Sequence, residues 1–197
     1  MIEYVEGKLM EKNPTLTVID CQGVGYALHT SLNTFSKLPD IGQQCKLFAH
    51  LQIKEDAHTL YGFSVREERH LFRLLISVSG VGATTAQMML SAMNTSELIS
   101  HIANGQSGAL QAIKGIGTKT AQRIIIELRD KIGKTDISVE QFTVGDNNNN
   151  IHNEALSALT LLGFPRAAAE KAINTILKAS NGSLSIESLI KEALKIL

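Results

Sequence analysis

Two short glycine turns of nearly the same sequence lie 35 residues apart, Gly80-Val81-Gly82-Ala83-Thr84-Thr85-Ala86-Gln87 and Gly115-Ile116-Gly117-Thr118-Lys119-Thr120-Ala121-Gln122. Each sits between apolar stretches of helical period. A Gly-x-Gly turn bends tightly and brings bare backbone against whatever lies beside it, which a Cβ would prevent. A helix starts after each turn, so unpaired N–H groups and about half a positive charge face outward there. The pattern predicts helix, hairpin, helix, made twice, with two places for an anion such as a phosphate.

The spacing excludes better-known phosphate loops. A Walker loop places four residues between its first glycine and the Gly-Lys pair, whereas one residue separates Gly115 from Gly117. Thr85 and Thr120 stand where a dinucleotide fingerprint has its third glycine, and no strand-helix-strand pattern surrounds them. An isolated Gly-x-Gly could be no more than a helix C-cap with a tight connection. Duplication weighs against that, as do Lys119 and Arg123, four apart on one face near a helix start, where the dipole disfavours cations unless an anion lies between them. The first copy has Thr84 and Met88 at those positions and is expected to bind more weakly, through N–H groups and the hydroxyls of Thr84 and Thr85.

Net charge is zero over 197 residues but unevenly spread: residues 64–135 carry nine Lys/Arg against five Asp/Glu, a net +4, and the segment on either side carries five against seven, a net −2. A basic centre holding both hairpins fits nucleic-acid backbone. No apolar run approaches the ~20 residues of a membrane span, and the acidic, strand-like N-terminus is not a signal peptide. Cys21 and Cys45 lack companions at metal spacing, as do His58, His70 and His101. No metal or cofactor is expected, and the cysteines suit a reducing, cytoplasmic setting.

Residues 1–63 alternate as strands, at Leu16/Val18, Val24/Tyr26/Leu28 and Leu47/Ala49/Leu51/Ile53, with turns at Asn13-Pro14, Gly23-Val24-Gly25 and Asp40-Ile41-Gly42. Five short strands and one helical turn near Ser31–Lys37 suit an OB-type barrel; a sandwich or an open sheet fits the same alternation. Lys54-Glu55-Asp56-Ala57 joins two of these strands with adjacent carboxylates and no glycine. By itself it reads as a solvated acidic loop.

Residues 64–135 read as helices. Ser64 and Glu67 have capping-box spacing, Leu71, Leu74, Leu75 and Val78 mark a buried face, and Ala86, Met89, Leu90 and Met93 form a stripe. Asn94 or Thr95 starts a further helix. Residues 136–150, with the run Gly145-Asp146-Asn147-Asn148-Asn149-Asn150, read as a flexible linker. Residues 151–197 read as a small three-helix domain with helices at 154–162, 165–178 and 185–197. Leu161, Leu162 and Phe164 at its first connection either staple two helices or face a partner.

The whole chain resembles the RuvA family of bacterial Holliday-junction proteins. The resemblance is carried by Gly23-Val24-Gly25-Tyr26, by Lys54-Glu55-Asp56-Ala57 with Leu60-Tyr61-Gly62-Phe63, by Glu68-Arg69 and Leu71-Phe72, by the paired hairpins and by the tethered, UBA-like tail. It implies an α+β multi-domain protein: an OB barrel, a tandem helix-hairpin-helix domain, a linker and a small helical domain. It implies a non-catalytic homotetramer on an open four-way junction, with a second tetramer admitted as an octamer. The hairpins, at residues 80–82, 84, 85, 115–117, 119, 120 and 123, would grip one DNA arm, and Glu55-Asp56 would stand at the centre as a strand-separating pin. The tail, through Leu161, Leu162 and Phe164, would bind the hexameric ATPase RuvB, and the resolvase RuvC would be a further partner, in recombination, repair and the SOS response. Many relatives have Gly-Val-Gly-Pro-Lys in the first hairpin, where this chain has Ala83 and Thr84 after Gly82.

Two other functions compete with this one. A hairpin-containing repair enzyme would need a pocketed carboxylate, and the nearest acids, Glu127 and Asp130, lie on a helix flank beside Arg129 and Lys131. A general single-strand or duplex binder would need stacking aromatics on a basic groove, whereas this barrel is acidic, with Tyr4, Phe35, Phe48 and Tyr61 as its chief aromatics.

Overall fold

The structure, a computed structural model, describes residues 2–134, 147–179 and 185–197. The chain divides into two compact units, residues 1–139 and 140–197.

The first unit opens with strands β1 (Tyr4–Lys12), β2 (Leu16–Cys21), β3 (Val24–Thr30), β4 (Gln44–Ile53) and β5 (His58–Phe63). They close into a barrel in the order β1-β2-β3-β5-β4, with β4 returning to β1. All pairs are antiparallel except β3 with β5. This is the expected OB-type barrel. Alternation places Val5, Leu9, Ile19, Leu28, Leu47 and Ala49 in its interior, each at most 5% exposed. The expected helical turn is α1 (Leu32–Phe35), between β3 and β4 and capped by Ser31, whose side chain accepts from Thr34 N.

Helices α2 (Arg66–Ile76), α3 (Ala83–Ala92), α4 (Thr95–Ala103), α5 (Ser107–Gln111) and α6 (Thr118–Lys134) follow within the same unit. Their shared core includes Leu71, Phe72, Leu75, Leu90, Leu98 and Leu128 and reaches Phe63 and Tyr61 at the end of β5. The tilted ring pairs Phe63–Phe72 and Tyr61–Phe72 join barrel to helices. Arg69 adds a polar tie: its Nη1 donates to Glu3 Oε2 at 2.6 Å and to the Glu3 and Ala49 carbonyls at 2.7 and 3.3 Å.

Asn94 and Glu97 form a full capping box at α4. The box expected at Ser64 and Glu67 does not form: Val65 occupies the N-cap without a side-chain bond. Tertiary contact overrides the local signal, because the Ser64 N–H is drawn to Thr34 Oγ1 at 3.0 Å and the neighbouring Glu68, not Glu67, turns inward. The sequence reading also missed α5, since five residues are too short to show a period.

The second unit contains α7 (Asn147–Leu161), α8 (Arg166–Ala179) and α9 (Ile186–Ile196) around Ala155, Leu159, Ala169, Ile173, Leu189 and Ala193. The first helix begins seven residues earlier than the expected 154, through the asparagine run. Asparagine is a poor helix former by a few tenths of a kcal/mol per residue, and extending an existing helix is far easier than starting one. Of the segment read as a linker, residues 136–146 lie outside the described residues.

Candidate nucleic-acid interface

The two glycine turns fold alike. Val81 N donates to Val78 O at 3.0 Å and Ile116 N donates to Ile113 O at 3.1 Å, each closing a four-residue turn. Gly80 and Gly115 occupy the third position at φ +87° and +89°, the left-handed region that a type II turn requires there. The middle residues point inward: Val81 and Ile116 are each 5% exposed, and their N–H groups are already used. Neither therefore offers a ligand its side chain or its N–H, which narrows the set of contacts expected from sequence.

The free donors lie one step later. Gly82 is the N-cap of α3, with φ −86° and ψ 167°, and its carbonyl accepts from Ala86 N at 2.9 Å. Gly117 does the same for α6, accepting from Ala121 N at 2.9 Å. Helix geometry leaves the N–H groups of residues 82–85 and 117–120 with no carbonyl one turn back. Thr84 and Lys119 are exposed at these helix starts, and Thr85 and Thr120 are half-buried.

Gly82 and Gly117 have a property that separates them from Gly80 and Gly115. Neither has a positive φ, and a Cβ built on either would meet nothing within 4 Å. The free chain does not need glycine at these two positions, so the bare backbone is open to an approaching ligand.

The hairpins also serve each other. Arg123 Nη1, on α6, donates to Ser79 O of the first hairpin at 3.1 Å. In return Met88, on α3, brings its Cε to 3.4 Å from where Gly115 would carry a Cβ. Residues 88 and 123 hold the same place in the two copies, so the exchange is that of an approximate two-fold axis between the repeats. Arg123 was expected to share one anion with Lys119. It instead lies against the hairpin that has no cation of its own, so the first hairpin is not left to N–H groups and hydroxyls alone.

Lys54-Glu55-Asp56-Ala57 forms the turn between β4 and β5, closed by Lys54 N donating to Ala57 O at 2.9 Å. All four residues are exposed, and among the described residues neither carboxylate takes part in an ion pair. A cavity of about 910 Å³ lies where the barrel meets the hairpins, bordered by His29, Tyr61, Thr84, Gln87, Met88 and Lys114 among others. No carboxylate lines it, so it does not offer the acid that a repair glycosylase would need. In the second unit Leu161 is 88% and Leu162 61% exposed, whereas Phe164 is half-buried against the helical core.

Comparison with known proteins accounts for nearly all of the chain. Residues 1–62 match the model of the RuvA N terminal domain, 72–130 that of the SAM-like helix-hairpin-helix tandem, and 150–197 that of the RuvA C-terminal domain. Similar full-length relatives include proteins from Christiangramia forsetii, 50% identical, and Flavobacterium psychrophilum, 49% identical, each over 99% of both chains. One from Bacteroides fragilis is 45% identical over 99% of both. All three carry the name Holliday junction branch migration complex subunit RuvA.

Proposed function

Since the chain belongs to the RuvA family, we propose that it binds four-way DNA junctions by their shape and backbone, holds them open and couples them to the RuvB ATPase during recombination and repair. The observation that carries this reading is the open space beside Gly82 and Gly117, at helix starts whose N–H groups lack partners. A sugar-phosphate chain fits that space, because its anionic oxygens accept from N–H groups and gain from the helix dipole. Lys119 and Arg123 add charge beside the two hairpins. None of these groups reads base edges, so the grip is indifferent to sequence and lets DNA slide.

Glu55 and Asp56 act in the opposite sense. Four copies of the exposed turn around the axis of a tetramer repel phosphates at the crossover and direct the strands into separate arms. Each hairpin contact is modest, about 1.5–3 kcal/mol for a charge-assisted hydrogen bond, and joining four subunits raises the effective concentration at every arm. The protein performs no chemistry of its own on this reading; the motor supplies the work. The small helical unit binds that motor through Leu161 and Leu162, which lie open at the α7–α8 connection. Phe164, partly covered, supports the connection from within.

The test is a mobility-shift comparison of a four-way junction, a duplex of equal length and a single strand across a salt series. Junction binding should be tightest and should fall steeply with salt as counterions are released. Equal affinity for junction and duplex at matched ionic strength would overturn the junction reading, and preference for the single strand would favour a general strand-binding module.

A further inference from the structure

We infer that the one-turn helix α1 sets the angle between the acidic turn and the hairpins, so that Asn33, Ser31, Thr34 and Glu68 are positioning residues for junction recognition. The inference rests on the junction reading above and concerns residues that touch no hairpin and no acidic turn.

A four-residue helix does not stand by itself in water. Instead of facing solvent, the polar side chains of α1 and its cap reach into the helical region. The Glu68 carboxylate, on α2, is 2% exposed and accepts from two hydroxyls: Thr34 Oγ1 at 2.7 Å and Ser31 Oγ in a short contact. Each hydroxyl spends its proton on the carboxylate and a lone pair on an N–H, Thr34 from Ser64 N and Ser31 from Thr34 N, both at 3.0 Å. Every direction in the cluster is therefore determined. A buried carboxylate loses several kcal/mol of hydration, which a hydroxyl donor to each of its two oxygens helps to offset.

The same helix holds the far end of α3. Asn33 Nδ2 donates to Leu90 O at 2.5 Å and to Met93 O at 2.9 Å, and Leu32 N donates to Ser91 Oγ at 3.1 Å. The barrel thus grips α2 at its start and α3 at its end, and the first hairpin lies between them. A ten-residue helix is about 15 Å long, so a tilt of ~10° at the Asn33 clamp displaces its first turn by ~2–3 Å. That exceeds the few tenths of an ångström within which an N–H···O bond keeps its strength.

Duplex binding needs the hairpins alone, which their own turns and the Arg123 bridge hold together. A junction must meet the hairpins and the acidic turn at once, and from the α3 side that distance is set by α1 and its partners, helped by a longer bond from Gln87 Nε2 to His29 O of β3 at 3.4 Å. Loosening the clamp should cost junction affinity selectively.

The experiment measures junction and duplex affinity at one ionic strength, with the unfolding midpoint, for the full chain and for Asn33→Ala and Glu68→Gln. Asn33→Ala should weaken junction binding roughly tenfold, about the worth of one misplaced charge-assisted bond, and leave duplex binding near wild type. Glu68→Gln, with one acceptor oxygen for two hydroxyls, should shift the ratio the same way. If Glu68→Gln does not fold, the half-buried Asn33 carries the test alone. A wild type that prefers junctions while both variants keep its junction-to-duplex ratio overturns this inference and leaves the junction reading intact. A wild type with no junction preference overturns both. Equal losses on junction and duplex mean a merely structural role and also overturn it.

Discussion

Replacing Gly82 and Gly117 by alanine separates the demands of folding from those of binding. Neither glycine has a positive φ, and a Cβ at either finds nothing within 4 Å, so the substitution meets no clash. Two small terms act on stability. Alanine is a weaker N-cap than glycine by roughly 0.5–1 kcal/mol, and removing a glycine from the unfolded chain returns about 0.4–1 kcal/mol. They nearly cancel, and for a chain of this size a residue of ~1 kcal/mol would move the unfolding midpoint by only about 2–4 °C. Binding should respond far more. A phosphate oxygen must come within about 2.9 Å of an N–H to accept from it, and a methyl on the N-cap occupies that approach. Losing one charge-assisted bond costs about 1.5–3 kcal/mol, or roughly 10- to 150-fold per hairpin. The assay is a junction mobility shift at constant salt with a thermal melt in parallel. Gly108→Ala, at an equally open glycine in α5 that belongs to neither Gly-x-Gly turn, is the control and should bind as wild type. A double variant that melts normally and binds as tightly as wild type would refute the N–H grip.

Replacing Glu55 by Gln and Asp56 by Asn keeps the shape of an exposed turn and removes its charge, so junction affinity should hold or rise while motor-driven migration is altered; a large loss of binding would contradict a repulsive role. Removing residues 140–197, a compact unit by itself, should leave junction affinity near wild type and abolish stimulation of the ATPase; undiminished stimulation would place the docking surface elsewhere. Burial beside Phe72, aided by Arg73 and Arg69, holds the His50 pKa below its ordinary 6.5. The unfolded chain then takes up this proton more readily than the folded one, so the associated stability is present above 6.5 and is lost as pH falls through the folded pKa. The melting midpoint should drop on acidification below that value, and His50→Gln should flatten the drop; an unchanged slope in the variant would remove His50 as its source.

What was legible in the sequence is what local chemistry decides. The hairpins could be found because Gly80 and Gly115 are needed by the turn itself, and the barrel because its strands alternate over several residues. The start of α4 is legible at Asn94 or Thr95, and Asn94 is indeed its N-cap, in a full capping box with Glu97. The box at Ser64 failed because a partner 30 residues away, Thr34, takes the N–H instead. Arg123 could be placed on the correct helix face, but its reach to Ser79 depends on how two repeats 35 residues apart fold on each other. Asn33 and Glu68 gave no signal of their roles: a polar residue in a short helix and an acid in a first turn are ordinary features until the two helices meet.

On the proposed reading the protein must hold DNA firmly and yet let it move, and the chain would divide these opposed requirements between charge and backbone. Long cationic side chains follow a phosphate as it moves and bind it at many angles, which favours holding. First-turn N–H groups are fixed in direction, so their bond weakens within a few tenths of an ångström and re-forms at the next phosphate. The two hairpins together present the unpaired N–H groups of both helix starts beside three cations, Lys114 within the second turn, Lys119 and Arg123, and the guanidinium of Arg123 is tied to Ser79 O. Replacing Thr84 by lysine, the residue that the second hairpin has at the matching position 119, should therefore tighten junction binding and steepen its salt dependence by about one counterion per added lysine, while slowing motor-driven migration. Tighter binding with faster migration would show that hairpin charge does not oppose movement.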